Sequence, residues 1–144
     1  MVKNISKCWV EHSSVPKVKH IKKNNNKTYG LGKERLLKKM LLESHTFMFS
    51  DTPSGWSLLP SDVRPSCVTR ARGSFGAFDI QVFHRGSCEL VSVKSTRQKV
   101  SSYSAEIKKI KSIVVPSYCR KFLCIWWSPR KDRVKNGWEV ISVR

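Results

Sequence analysis

Residues 75–94 constrain the fold of this chain more than any other part of the sequence. Apolar and polar residues alternate over residues 75–84 and again over residues 88–94, and this period of two is typical of half-buried strands. Arg85, Gly86 and Ser87 lie between the two runs, and a short connection that contains glycine favours a hairpin. The sequence therefore predicts two adjacent antiparallel strands.

This hairpin is expected to bring an acid and a lysine together. Successive side chains of a strand point to opposite faces, so Asp79 lies opposite the apolar face formed by Phe78, Ile80 and Val82. In the second strand Ser92 and Lys94 share one face, and pairing can place them beside Asp79. A carboxylate that anchors a divalent cation and an ammonium that positions water are what metal-dependent phosphodiester hydrolysis requires. The alternative is a surface ion pair on an ordinary hairpin.

The charge balance indicates a polyanionic partner. The 144 residues suffice for one domain, and 28 Lys and Arg against 10 Asp and Glu give a net charge of +18. Such an excess is typical of proteins that bind nucleic acid or an anionic membrane. No apolar run approaches the ~20 residues of a membrane span, and the first residues lack the apolar core of a signal peptide. We therefore expect a soluble, intracellular protein.

The cysteines indicate neither a disulfide framework nor a zinc site. Their number, five, is odd, no C-x-x-C pair occurs, and the four histidines add no zinc-like spacing. Reduced and mostly buried thiols are the expectation, with a disulfide or metal framework as the alternative.

The N-terminal third is predicted to contain a basic arm and a helix. Residues 1–28 are rich in lysine and lack periodicity, so we expect a flexible arm that binds phosphates without sequence preference, Lys22 and Lys23 among its contacts. Residues 30–44 have helical periodicity. The predicted buried stripe consists of Leu36, Leu37, Met40 and Leu41. Glu34 falls in the first turn of this predicted helix, where it either complements the helix dipole or belongs to a functional site.

The middle of the chain is predicted to alternate between short strands and polar connections. Residues 45–49 favour a strand, residues 51–65 an inserted loop rich in Pro, Gly and Ser, and residues 66–72 the strand before the hairpin. Arg70, Arg72 and Ser74, with nearby glycines, suit a bound phosphate, although a solvated turn explains them as well. Arg97 and Lys99, in the polar connection after the hairpin, are further candidates for nucleic-acid contacts.

The remaining elements complete an α/β fold. Residues 101–115 predict a second helix that Pro116 ends, with Glu106 at the edge of its sheet-facing side. Residues 121–128 and 137–143 predict two further strands. The order helix, three strands, helix, two strands predicts an α/β sandwich around a mixed central sheet flanked by helices.

Several short motifs, in this order, resemble the archaeal Holliday junction resolvases, a branch of the PD-(D/E)xK nuclease superfamily. The motifs are G-x-x-x-E (Gly30, Glu34), R-x-R-G-S before F-D-I (Asp79), S-V-K-S (Lys94) and the closing G-W-E-V-I-S-V. The similarity spans residues 30–143, interrupted by the insertion near 51–65, and the basic arm lies outside it. It implies a restriction-endonuclease-like α-β-β-β-α-β-β core.

The resemblance also implies roles for individual residues. Asp79 would ligate Mg²⁺ or Mn²⁺ together with Glu106 and the backbone carbonyl of Val93. Lys94 would orient or polarise the attacking water, and Glu34 would complete the acidic site from the first helix.

One position departs from the family pattern. The second acidic residue of these nucleases normally stands two positions before the lysine, where this chain has Ser92. A neutral hydroxyl is a poor ligand for a hard cation, so another carboxylate is expected to replace it. Glu106, from the following helix, is the candidate, as in superfamily members that take this acid from the helix. Glu89 has the wrong strand parity unless a bulge shifts it by one residue.

The resemblance implies an endonuclease for branched DNA that leaves a 5′-phosphate. Symmetric cutting of two strands implies a two-fold homodimer. Trp126, Trp127 and Trp138 suit either such an interface or the core. The competing expectation is a catalytically inactive DNA- or RNA-binding protein on a nuclease-like fold.

Overall fold

The computed structural model describes residues 25–71, 77–96, 102–131 and 137–144. We label the elements in chain order as helix α1 (Asn25–Glu43), strands β1 (His45–Phe49), β2 (Trp56–Pro60), β3 (Cys67–Arg70), β4 (Ile80–His84) and β5 (Ser87–Thr96), helix α2 (Ser104–Lys111), and strands β6 (Cys119–Trp127) and β7 (Gly137–Val143).

A mixed five-stranded sheet forms the centre of the fold, in the order β3-β4-β5-β6-β7. Only β5 and β6 pair in parallel, and the other neighbours are antiparallel. A parallel pair requires a crossover connection, and α2 lies within it. The predicted α/β architecture, with a mixed sheet flanked by helices, is thereby confirmed.

The two faces of the sheet support separate apolar clusters. Val91 and Val93 of β5 pack with Leu37 and Leu41 of α1, on one face. On the other face Ile110 of α2 packs with residues of β6 and β7. Alternation then assigns Ser92 and Lys94 to the α2 side, since their parallel partners, Leu123 and Ile125, belong to the α2 cluster.

The hairpin forms as predicted, but its first strand is shorter. Gly86 has a φ of 85°, which glycine adopts without strain, and His84 pairs directly with Ser87 across the turn. Strand β4 begins only at Ile80, whereas we expected a strand from residue 75, and residues 72–76 lie outside the described part. Phe78 consequently packs in the α2 cluster and not, as expected, beside Ile80 and Val82, which face α1.

Helix α1 begins at Asn25, five residues before the predicted start, so the last residues of the expected arm are helical. Of the predicted stripe, Leu37 and Leu41 are buried, but Leu36 is 39% exposed. The buried residues are therefore spaced by one turn and line a narrower face than expected.

The insertion predicted as a loop contains strand β2, which pairs with β1 in a small antiparallel sheet. Trp56 explains this difference, since its ring is 8% exposed and lies edge-on to Phe122 of the central sheet at a centroid distance of 5.0 Å. Leu58 of β2 packs against the same cluster, so these two side chains attach the insertion to the core.

Helix α2 ends at Lys111, whereas the sequence predicts that it continues to the residue before Pro116. At this end the Nζ of Lys121 donates hydrogen bonds to the carbonyls of Ile110, at 3.0 Å, and Ile113, at 2.7 Å, and Ile110 also accepts the N–H of Ile113, at 3.1 Å. The lysine thereby satisfies carbonyl groups that a longer helix would have paired with its own amides.

The four cysteines in the described residues, Cys67, Cys88, Cys119 and Cys124, are free thiols, as expected, although Cys67 is exposed. Neither of the two helices in the described residues combines the length and apolar character needed to cross a bilayer.

Candidate active site

Asp79 lies immediately before β4, and hydrogen bonds fix it to both neighbouring segments. Its backbone N–H donates to the carbonyl of Val91, at 2.8 Å, and its carbonyl accepts from Ala71, also at 2.8 Å. Its carboxylate oxygen Oδ2 accepts a hydrogen bond from the N–H of Val93, at 2.7 Å. The carboxylate thus takes the place of a backbone acceptor beside β5, which is why the regular strand starts one residue later.

Lys94 follows Val93 in β5 and contacts the second helix. Its Nζ lies 3.7 Å from Oε2 of Glu106, in a pair whose side chains are 38% and 35% exposed. Lys94 is also close enough to Asp79 to lower the pKa of that carboxyl. The charges of Lys94 and of its partner Glu106 thus both act on Asp79.

Glu34 approaches the same place from the opposite face of the sheet. Its Oε1 lies 3.7 Å from Nη1 of Arg70, at the end of β3. Because α1 starts at Asn25, Glu34 lies in about the third turn of the helix and not in the first, as predicted. It is therefore too far from the N-terminus of the helix to complement the helix dipole. Burial raises the pKa of Glu34, and the negative charge of Asp79 raises it further, so the two carboxylates are within range of each other's charge.

Burial is the main reason why both carboxyls resist ionisation. The pKa of Asp79 is raised by burial, against the opposing effects of the Val93 N–H and Lys94, and Glu106 raises it further. The pKa of Glu34 is raised by burial and then by Asp79, while Arg70 and Lys94 lower it. Partly buried acids that repel one another gain from a cation placed among them.

Strand β5 does not supply the second acidic residue of the nuclease pattern. Ser92 is 1% exposed and belongs to the α2 face. Glu89 pairs in unbroken register with Val82, so no bulge shifts it towards Asp79, and that alternative is wrong. Glu89 instead bonds to Nε2 of His84, at 2.9 Å, near the turn of the hairpin.

The oxygen donors near Asp79 are of the type that a hard divalent cation prefers. Within residues 25–71, 77–96, 102–131 and 137–144, no three His, Cys, Asp or Glu side chains form a group that could hold a metal between them. Mg²⁺ does not require such a group, since it keeps several waters and is commonly bound by one or two carboxylates. Asp79 and Glu106 provide two carboxylates, and the carbonyl of Val93 points to the same strand edge as its N–H.

Of the residues expected to contact nucleic acid, Arg70 lies at this site. The others lie outside the described residues; they are Lys22, Lys23, Arg72, Ser74, Arg97 and Lys99.

An aromatic and cationic group beside the site was not anticipated from the sequence. The ammonium of Lys33 lies 4.1 Å from the ring centroid of Trp126, and the indole N–H of Trp126 donates to the hydroxyl of Tyr29, at 2.8 Å. The i, i+4 spacing of Tyr29 and Lys33 is the only sequence signal for it. Trp127 is 5% exposed and belongs to the core, and the half-buried Trp138 packs against the cluster on the α1 face. The ring of Trp138 meets that of the half-buried Trp126 edge-on, with 5.3 Å between the ring centroids.

In comparisons with protein-family models, curated proteins and solved structures, nothing matches this chain.

Proposed function

We propose that this protein is a metal-dependent endonuclease with a restriction-endonuclease-like core, and that its substrate is branched DNA, most specifically the four-way Holliday junction. One observation carries the proposal: Asp79 lies within electrostatic range of Lys94 and of acids from both helices, Glu34 and Glu106. A surface ion pair between Lys94 and Glu106 would account for the positions of only two of these four charged side chains.

Asp79, Glu106 and the carbonyl of Val93 would hold Mg²⁺ or Mn²⁺. A divalent cation bound there supplies Lewis-acid stabilisation of the charge that develops on the phosphate. The N–H of Val93 fixes one oxygen of Asp79, which leaves the other oxygen of that carboxylate for the cation.

Lys94 is the residue proposed to act on the attacking water. Glu106 keeps the ammonium next to the carboxylates, and an ammonium there can donate a hydrogen bond to water or to a phosphate oxygen. Glu34 would complete the acidic site from α1 and hold Arg70 towards the DNA backbone. Ser92 contributes a neutral, buried hydroxyl, so we assign it a positioning role beneath Lys94.

The net charge of +18 would supply most of the affinity for DNA, which should therefore fall steeply with salt. Two cuts placed symmetrically in one junction require two active sites, and a two-fold homodimer provides them. The partly exposed pair of Trp126 and Trp138 is a candidate for the contact between subunits.

A second candidate function is nucleic-acid binding without catalysis. The observation that favours it is the ion pair between Lys94 and Glu106, since this pair neutralises two of the groups that catalysis would use. In that case the acids would serve only to fix the end of the sheet.

Incubation with synthetic DNA distinguishes these functions. We expect Mg²⁺-dependent nicks in opposing strands of a four-way junction, with 5′-phosphate ends, and little cutting of a linear duplex of the same sequence. Equal cutting of the duplex would contradict the branched substrate. Tight binding without cutting in Mg²⁺ or Mn²⁺ would favour the second candidate.

A further inference from the structure

Two adjoining clefts lie at the end of the sheet away from the carboxylates, with volumes of about 470 and about 500 Å³. They share Phe49, Trp56 and Lys111, and Arg120 lines the first. Lys121, in the wall of this cleft, is four residues from Ile125, the partner of Lys94. At about 3.3 Å per strand residue, the two places are about 13 Å apart along β6. The first cleft is therefore separate from the candidate active site, and the second extends along α2 as far as Ile107, which follows Glu106.

An exposed aromatic ring forms one wall of the joint cleft. Phe49 is 70% exposed, and its ring centroid lies 4.1 Å from that of Trp56. Trp56 is itself buried against Phe122, so it supports the Phe49 ring from beneath and fixes its orientation. The outer face of Phe49 is left as a rigid apolar platform, which is the surface on which a planar ring can stack.

Cations surround this platform. Lys111 and Arg120 are both exposed, and the guanidinium of Arg120 lies 5.5 Å from the ring centroid of Trp56. Every titratable side chain that lines the two clefts, among the described residues, is a lysine, an arginine or a cysteine. Lys121 also lines the first cleft, but its ammonium is engaged by the helix carbonyls of Ile110 and Ile113. The free charge available to a ligand therefore resides on Lys111 and Arg120 and on the exposed Arg144, which lines both clefts.

We propose that this cleft binds a single-stranded segment of nucleic acid, with a base stacked on Phe49 and phosphates held by Lys111 and Arg120. An exposed aromatic platform flanked by cations is the recurrent solution for single strands, because every base has a face that can stack. The charge is complementary to a polyanion, and the apolar ring favours a ligand that also carries planar groups. An acidic peptide would satisfy the cations but would leave the platform without a partner.

This site is independent of catalysis by Asp79 and Lys94. In the context of the proposed function, it would hold an unpaired strand next to a branch point, with the cleft wall at Lys121 about 13 Å along β6 from the partner of Lys94. Binding here therefore requires neither a metal nor an active nuclease.

The test is binding of a short, fluorescently labelled oligothymidylate to the full chain, in the presence of a chelator so that no strand is cut. We expect Phe49→Ala to weaken binding about tenfold and Phe49→Tyr to restore it. Phe83→Ala, a partly exposed phenylalanine on β4, is the matched control and should change little.

The salt dependence tests the cations. Lys111→Ala and Arg120→Ala should each make the slope of log affinity against log salt shallower by about 0.7, the value for one phosphate contact of a single strand. Lys108→Ala, on the same helix but outside the clefts, should have a smaller effect. An oligothymidylate with a photoreactive base should crosslink to the segment that contains Phe49 and Trp56.

Two results would overturn the inference. One is equal binding by Phe49→Ala and Phe83→Ala, with crosslinks elsewhere. The other is displacement by oligoglutamate from every variant alike, which would identify a general polyanion surface. Either result would leave the nuclease proposal intact, and a failure to cut junctions would leave this inference intact.

Discussion

The carboxylate of Asp79 accepts a hydrogen bond from the backbone N–H of Val93, with 2.7 Å between Oδ2 and the nitrogen. This contact positions the aspartate beside the residue that precedes Lys94. It also explains how a partly buried acid is retained in a region where burial raises its pKa. A stabilising backbone contact and a destabilising burial thus act on the same side chain.

Asp79→Asn should raise the free energy of unfolding at neutral pH. The amide keeps an oxygen for the Val93 N–H and has no charge to bury. Because burial raises the pKa of Asp79 in the folded state, the native protein binds this proton more tightly than the unfolded chain, and stability falls as pH rises past the unfolded pKa. The advantage of the variant should therefore be largest at neutral pH and disappear as pH falls to about 4.

Thermal unfolding between about pH 4 and about pH 8 tests this expectation. Asp62→Asn, at an exposed aspartate, is the control and should change nothing. A variant less stable than the parent at neutral pH would show that ionised Asp79 contributes a net stabilising interaction.

Glu106→Gln should raise the Mg²⁺ concentration required for half-maximal cutting by about tenfold, since it removes one carboxylate from the proposed cation site. Glu89→Gln should leave this requirement unchanged, because Glu89 is bonded to His84 near the other end of the hairpin. A Mg²⁺ titration of junction cutting measures both. The opposite ranking would transfer the ligand role to Glu89.

Lys94→Met should reduce the rate of cutting by about 100-fold or more, with little loss of junction binding, because a single group that stabilises charge in the transition state is removed. The substitution should also raise the pKa of Asp79, which Lys94 lowers. Single-turnover cutting and titration of the Asp79 carboxyl followed by NMR give the two values. An unchanged rate would assign Lys94 to the ion pair with Glu106 alone.

Lys121→Met should destabilise the fold by about 1.5–3 kcal/mol, since it leaves the carbonyls at the end of α2 without their charged donor. Lys108→Met, at an exposed lysine on the same helix, should cost little. Urea unfolding compares them. Equal stability of the two variants would mean that water replaces the ammonium at those carbonyls.

The sequence predicted those features that local patterns determine. Strand β7 has the bounds that alternation assigned to it, and the hairpin turns at Gly86, where a positive φ is required. The assignment of Ser92 and Lys94 to one face also holds, because a strand without a bulge has a strict period of two.

Features that depend on contacts between distant parts of the chain could not be predicted from local sequence patterns. Strand β2 packs on the central core through Trp56, and the carbonyls at the end of α2 bond to a lysine ten residues further along the chain. The bend at Asp79 depends on a hydrogen bond to Val93, fourteen residues away. The approach of Glu34 from the opposite face depends on the packing of α1, which no local pattern near Asp79 reveals.

The most direct test of the proposed active site is the rate at which Asp79→Asn cuts a four-way junction in Mg²⁺, measured beside the parent and Asp62→Asn. We expect a loss of about 100-fold or more for Asp79→Asn, with junction binding retained, and an unchanged rate for Asp62→Asn. Cutting by Asp79→Asn at the parental rate would contradict this expectation.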